Sequence, residues 1–275
     1  MIQQENFLRE RRKREAKEMA KDVWNPDQYE RFQSERSQPF FDLMALVEPQ
    51  PSMRVVDLGC GTGEMTRLLH NHLGATETLG IDSSEAMLAK SEAFAGDGLR
   101  FERQSISDFA ADHYYSLIIS NAALHWLPNH YELLKRLTAA LAQGGQLAVQ
   151  VPANNDHPSH TIAAEVASEA PFLEAMNGYK REWPVLNPEE YAIVLNRLGY
   201  GQQRVRLQVY GHTLESREGV IEWVKGTLLT DYEKRMPAKL YARFFKRYRE
   251  RLLASLEDTR PYFFPFKRIL FWARL

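Results

Sequence analysis

The stretch Asp57–Gly63, DLGCGTG, limits what this chain can fold into more than any other part of it. It ends the apolar run MRVVDLG (53–59), whose length and β-branched content predict a buried strand. It precedes EMTRLLHNHL (64–73), whose apolar spacing predicts a helix. A strand, a glycine turn and a helix in that order open a parallel-sheet unit, and the chain repeats the rhythm. ETLGID (77–82) reads as a second strand, and EAMLAKSEAF (85–94) as a helix capped by Ser83 or Ser84. LRFER (99–103) and YYSLIISN (114–121) read as strands, HYELLKRLTAAL (130–141) as a helix closed by Gly144–Gly145, and GQLAVQV (145–151) as a fifth strand. A short helix over 39–47 comes before them all. The prediction is an α/β fold: a doubly wound, Rossmann-like parallel sheet with right-handed crossovers and helices on both faces.

After Pro152 the alternation stops. Residues 158–200 read as mostly helical, with breaks at Pro171, Gly178, Pro184 and Pro188. A long strand over 202–214 follows, then helices over 217–229 and 237–257, and a final strand over 264–275. The helices between the last two strands are expected to cap the mouth of the sheet. Three regions result: a charged N-terminal extension (1–21), a ligand-binding core with an N-terminal lid (22–152), and the remaining strands with the helical cap (153–275).

The glycine turn has its own chemistry. Gly59, Gly61 and Gly63 let the backbone turn tightly and approach a ligand, and the next helix aims its first amides at the same place. Asp82 ends the second strand, where an acid can accept hydrogen bonds from both hydroxyls of a ribose. Dinucleotide sites favour G-x-G-x-x-G with a pyrophosphate at the helix end. Here the spacing is G-x-G-x-G, with Asp57 two residues before the first glycine. That pattern suits a ligand with a cationic amine and no phosphate, such as S-adenosylmethionine (SAM). Cys60 sits inside the turn, as a small packed residue or as a thiol.

Composition narrows the classes. One cysteine excludes an intramolecular disulfide and any zinc site built on several thiolates. Lys plus Arg number 35 and Asp plus Glu 36, which argues against a basic nucleic-acid binder. KRMPAKLYARFFKRYRER (234–251) interleaves arginines with aromatics, but residues 240, 244, 248 and 252 recur as one apolar stripe facing a core. No run of about 18 apolar residues is present, so no membrane span is expected. The N-terminus carries no apolar signal core. A cytoplasmic enzyme is expected, with its oligomeric state left open.

The chain resembles the class I SAM-dependent methyltransferases, and within them the branch that acts on trans-aconitate. The likeness runs from about Asp22 to the C-terminus. It rests on DVWNPDQYERFQSERSQPFFDL (22–43), DLGCGTG, GIDSSEAML (80–88), SNAALHWLPNHYELL (120–134), GGQLAVQVPAN (144–154), REGVIEWVKGT (217–227) and FPFKRILFWARL (264–275). The resemblance implies a seven-stranded sheet whose last strand is antiparallel. It implies SAM as cofactor, S-adenosylhomocysteine (SAH) as product, and a small-molecule acid as substrate, methylated on a carboxylate.

It also implies site residues. Asp57, Gly59, Cys60, Gly61 and Gly63 face the methionine and ribose, Asp82 holds the ribose hydroxyls, and Ser83 and Met87 flank the adenine. Ser105 and Ile106 occupy the pair after the third strand, where the family usually has an acid before an apolar residue. Asn121 and Trp126 lie beside the reacting methyl, and His125 is a base or a hydrogen-bonding residue. Trp24, Tyr29, Phe32 and Arg36 form the lid, with Trp24 also facing the substrate and Arg36 favoured as its anchor. Further cationic candidates are Arg260, Lys267, Arg268 and Lys225, with Trp223 and Asn154 near them. His157 and His160, spaced H-x-x-H, read as loop residues rather than a metal pair. Where the family's cap carries Arg-Pro after Gly-Thr, this chain reads GTLLTDY (226–232). A related acid, or another small or carrier-linked O- or C-acceptor, therefore fits the same scaffold.

Overall fold

The computed structural model describes residues 33–275. Helix α1 (Gln33–Met44) leads into β1 (Arg54–Leu58), α2 (Glu64–Leu73), β2 (Glu77–Asp82), α3 (Glu85–Ser91), β3 (Leu99–Arg103) and β4 (Tyr115–Asn121). Helix α4 (His130–Ala140) and β5 (Leu141–Pro152) follow, then α5 (Pro158–Ala167), α6 (Phe172–Ala175) and α7 (Pro188–Arg197). The chain closes with β6 (Gln202–Leu214), α8 (Glu218–Lys225), α9 (Leu228–Arg235), α10 (Ala238–Ser255) and β7 (Tyr262–Arg274).

Seven strands form one sheet in the order β3-β2-β1-β4-β5-β7-β6. β1 to β5 pair in parallel, while β7 runs antiparallel to both neighbours, β5 and β6. Successive side chains on a strand point to opposite faces, which explains the two core layers. Val56, Ile118, Val149 and Phe271 pack under α4 and α7, with Leu134, Leu137, Tyr191 and Leu195. Their neighbours Val55, Leu117, Ala148 and Trp272 pack under α1 and α2, with Phe40, Leu43 and Leu69. Each fully buried Val, Leu, Ile or Phe among them contributes about 1.5–3 kcal/mol relative to exposure.

A separate apolar cluster builds the cap. Ile162 and Val166 of α5, Trp223 and Val224 of α8, Tyr232 of α9 and Phe244, Tyr248 and Leu252 of α10 pack with Phe264 and Phe266 at the start of β7. The stripe expected on 240–252 does face this core. On the same helix, Arg247 and Arg251 pair with Glu169, and Arg251 also with Glu165. That basic face is thus partly neutralised within the cap.

Three expectations need correction. The helix over 130–141 ends at Ala140, and Leu141 is already extended and paired with Tyr115. Gly144, with φ 69°, serves an irregularity in β5 before Gln146 meets Leu117, not a helix cap. The helix over 217–229 is two helices, because Gly226 ends α8 and Thr227 leaves helical geometry (φ −131°, ψ −84°). His157 and His160 are not loop residues: His157 caps α5 by accepting from Ser159 N–H at 3.1 Å, and His160 lies within that helix. Among the described residues, no cluster of three His, Cys, Asp or Glu could hold a metal, and no helix is long and apolar enough to cross a membrane. Trp24, Tyr29, Phe32 and the extension 1–21 lie outside the described residues. Arg36 falls in α1, but its side chain lies outside the described set.

Candidate active site

β1 has β2 on one side and β4 on the other, so the strand order reverses between β1 and β4. A crevice opens there beyond the carboxyl ends. A cavity of about 380 Å³ fills this crevice and runs under the cap. One wall comes from the turns leaving β1 to β4. Gly59 has φ +82°, and a Cβ there would stand 2.3 Å from Cβ of Ala123 in the turn after β4. Only glycine lets the two turns meet. The N–H groups of Gly59 and Cys60 donate to Ile81 O at 2.8 and 3.0 Å, which ties the turn to the end of β2.

The Asp82 carboxylate bridges both turns. Its Oδ2 accepts from Gly61 N–H at 3.0 Å and its Oδ1 from Ser84 N–H at 2.8 Å. Ser84, not Ser83, caps α3, accepting from Met87 N–H at 3.2 Å. Gly59, Gly61, Asp82, Ser83, Met87, Ser105, Ile106 and Asn121 line this end of the cavity. Ser105 Oγ accepts from Ser107 N–H at 3.1 Å, while its hydroxyl proton remains available for a ligand. Asn121 Oδ1 is buried without a hydrogen-bond partner.

Asp57, Cys60 and Gly63 stand behind this wall rather than on it. Asp57 is buried and accepts from Thr66 Oγ at 2.6 Å, locking β1 to the first turn of α2. Burial raises its pKa to about 7, against the Thr66 hydrogen bond and with a contribution from Asp82. Burial likewise pushes the Cys60 thiol far up, so it is no ready thiolate.

The other end is built from the turn after β4, the cap and β7. His125 and Trp126 form a 3-10 turn with their rings 4.6 Å apart, and Trp126, 40% exposed, stands at the rim. His125 is buried, and its Nδ1 has no partner. Burial lowers its pKa to about 3, helped by Arg181, Arg268, His130 and His160. His160 is lowered to about 3 for the same primary reason, with Arg181 and His157 adding to it. Trp223, Thr227 and Leu228 close the wall from α8 and α9.

Sequence reasoning missed Arg181, His160, Trp183 and Phe266, all of which line the cavity. Arg181 and Trp183 sit in an irregular segment between α6 and α7, which has no periodicity to read. Three expected substrate residues are not on the cavity wall. Lys267 pairs with Asp156, and Lys225, its side chain 48% exposed, pairs with Glu222 at 3.7 Å. Asn154 is buried and accepts from Lys267 N–H at 3.1 Å. Arg260 is also absent from the wall, whereas Arg268 is on it. Strand alternation could have separated Lys267 from Arg268, since neighbours on β7 face opposite sides.

Among the described residues, the wall near the glycine turn carries an acid and no cation. That suits an adenosyl ligand with hydroxyls and an amine, and not a pyrophosphate. Comparison with known proteins agrees with the fold and with SAM as the ligand. The profile described as a methyltransferase domain matches residues 29–199. The chain belongs to the SAM-dependent methyltransferase family. It is 44% identical to trans-aconitate 2-methyltransferase of Deinococcus radiodurans over 91% of this chain and 98% of that one. It is 39% identical to the protein of the same name from Variovorax paradoxus, over 83% of this chain and 88% of that one. Among solved structures, the YcgJ protein of Bacillus subtilis shares the fold, with a TM-score of 0.56 at 15% identity, covering 86% of this chain and 97% of that one.

Proposed function

We infer that this chain transfers the methyl group of SAM to a carboxylate of trans-aconitate, leaving SAH and a methyl ester. The relatives above carry that activity in their names. The observation that carries the reading here is the polarity of one cavity among the described residues: an acid-and-glycine end without cations, and an opposite end with two arginines. When bound, SAM supplies an electrophilic methyl on a sulfonium.

In this reading Gly59 and Gly61 hold the methionine and ribose portions, with Asp57, Cys60 and Gly63 shaping the turn from behind. Asp82 accepts from the ribose hydroxyls. Ser83, Met87, Ser105 and Ile106 enclose the adenine, and Asn121 stands by the reacting methyl. The core 22–152 then acts as donor site, and 153–275 completes the sheet and encloses the acceptor. A carboxylate is ionised at neutral pH, since its pKa is about 4, so no general base is needed. His125, held neutral by burial, positions the acceptor by hydrogen bonding instead. The protein's work is to orient the attacking oxygen and exclude water. A cytoplasmic location fits such a reaction.

Incubating the full chain with methyl-labelled SAM and trans-aconitate should give a labelled product that releases methanol in mild base. Label transferred to tRNA or to a carrier protein, with none in organic acids, would overturn the reading.

A further inference from the structure

We propose that Arg181 and Arg268 form a two-point clamp for the two carboxylates of the acceptor that do not react. The pocket would then select tricarboxylates over acids with fewer carboxylates. The proposal rests on the methyl-ester reading above and adds what decides the substrate.

The two arginines reach the same space from unrelated parts of the chain. Arg268 is 5% exposed, in the middle of β7, where its backbone pairs with Pro152 of β5 and Gln208 of β6. Its guanidinium lies 4.9 Å from the Phe266 ring centroid, and Nη1 donates to Gln150 Oε1 at 3.4 Å. It is therefore held by a rigid sheet. Arg181, its side chain 15% exposed, is oriented by the cap, where Nη1 meets Asp231 Oδ2 at 3.3 Å. Asp231 is fixed in turn by Tyr179 OH at 2.9 Å and Arg235 Nε at 3.2 Å. Arg181 Nε is buried without an acceptor, and its guanidinium lies 5.6 Å from the Trp126 ring centroid.

Both arginines line the same cavity as His125. Around them the wall is aromatic or neutral: His125, Trp126, His160, Trp183 and Trp223. Among the described residues, the one carboxylate on the cavity wall is Asp82, at the other end. Planar guanidinium forks match carboxylates in geometry, so two arginines on one cavity wall suit a ligand with several carboxylates. After one carboxylate of a tricarboxylic acid attacks, two remain for two forks.

The test measures binding of trans-aconitate, fumarate and crotonate (three, two and one carboxylates) to the full chain saturated with SAH, by calorimetry. Ester formation is measured in parallel. Losing one charge-assisted pair should cost roughly 10- to 100-fold in affinity. The wild type should therefore bind trans-aconitate at least that much more tightly than fumarate. Arg181→Met and Arg268→Met should each lose that preference while binding SAH as before. If fumarate or crotonate binds and is esterified as well as trans-aconitate, the clamp is wrong and the methyl-ester reading stands. If no acid is esterified, that reading falls and the clamp with it. Where a Met variant does not fold, Arg181→Lys or Arg268→Lys, which keeps the charge but loses the planar fork, should show the same loss of preference, and an unchanged preference there overturns the clamp.

Discussion

The two ends of the cavity are built on different plans. The donor end is made of backbone and short side chains from one stretch, residues 59–106, with Asn121 added. Its precision comes from amides and from a glycine no other residue can replace. The acceptor end is made of large side chains from the turn after β4, from α5, from the segment before α7, from α8 and α9, and from β7. A donor shared by many enzymes can be held by a local motif. A particular acceptor has to be recognised by groups that only the finished fold brings together.

The largest predicted effect sharpens that contrast at the donor end. Asp82→Ala removes the carboxylate that ties Gly61 to Ser84 and would accept from the ribose. It should weaken SAH binding by about 1–3 kcal/mol. Calorimetry showing unchanged SAH affinity would remove Asp82 from the donor site.

The next effect separates the ends by pH. Asp57 and His125 are both shifted toward neutrality by burial, the first up to about 7 and the second down to about 3. An unfolded histidine titrates near 6.5, so below that pH the unfolded chain binds more protons than the native one. Stability from neutral His125 is thus complete above about 6.5 and is lost as pH falls toward 3. His125→Gln should flatten the decline of melting temperature on the acid side. Parallel curves for variant and wild type would show that the imidazole is not buried neutral.

The smallest effect tests whether the cations off the cavity wall matter. Lys225→Met and Lys267→Met should each shift stability by no more than about 0.5 kcal/mol, as surface changes do, and leave the Michaelis constant for trans-aconitate unaltered. A tenfold rise in that constant for either would return the residue to the acceptor site.

The same contrast explains what could be read in advance. All seven strands and the glycine turn follow from periodicity and local turn chemistry, because those signals act over a few residues. Asp82 was legible because it ends a strand at a set distance from the turn. Arg181 was not, because nothing in the irregular sequence KREW (180–183) marks a side chain that acquires its role from Asp231, 50 residues away. Lys267 and Arg268 differ by one position on β7, and only the facing of each side chain distinguishes an outward ion pair from a cavity wall. The split at Gly226–Thr227 was hidden for a similar reason. Apolar spacing continues through it, while the chain bends to bring Thr227 and Leu228 to the cavity.

β7 runs back beside β6, and their first shared rung joins Leu214 to Tyr262. Everything from 215 to 261 thus departs from and returns to a single rung. Such a segment is a cassette: it can be exchanged between homologous enzymes as one piece, its two cut ends already held side by side. A chimera that trades it would replace the wall built by Trp223, Val224, Thr227 and Leu228 while leaving Arg181, Arg268, α5 and the donor platform in place.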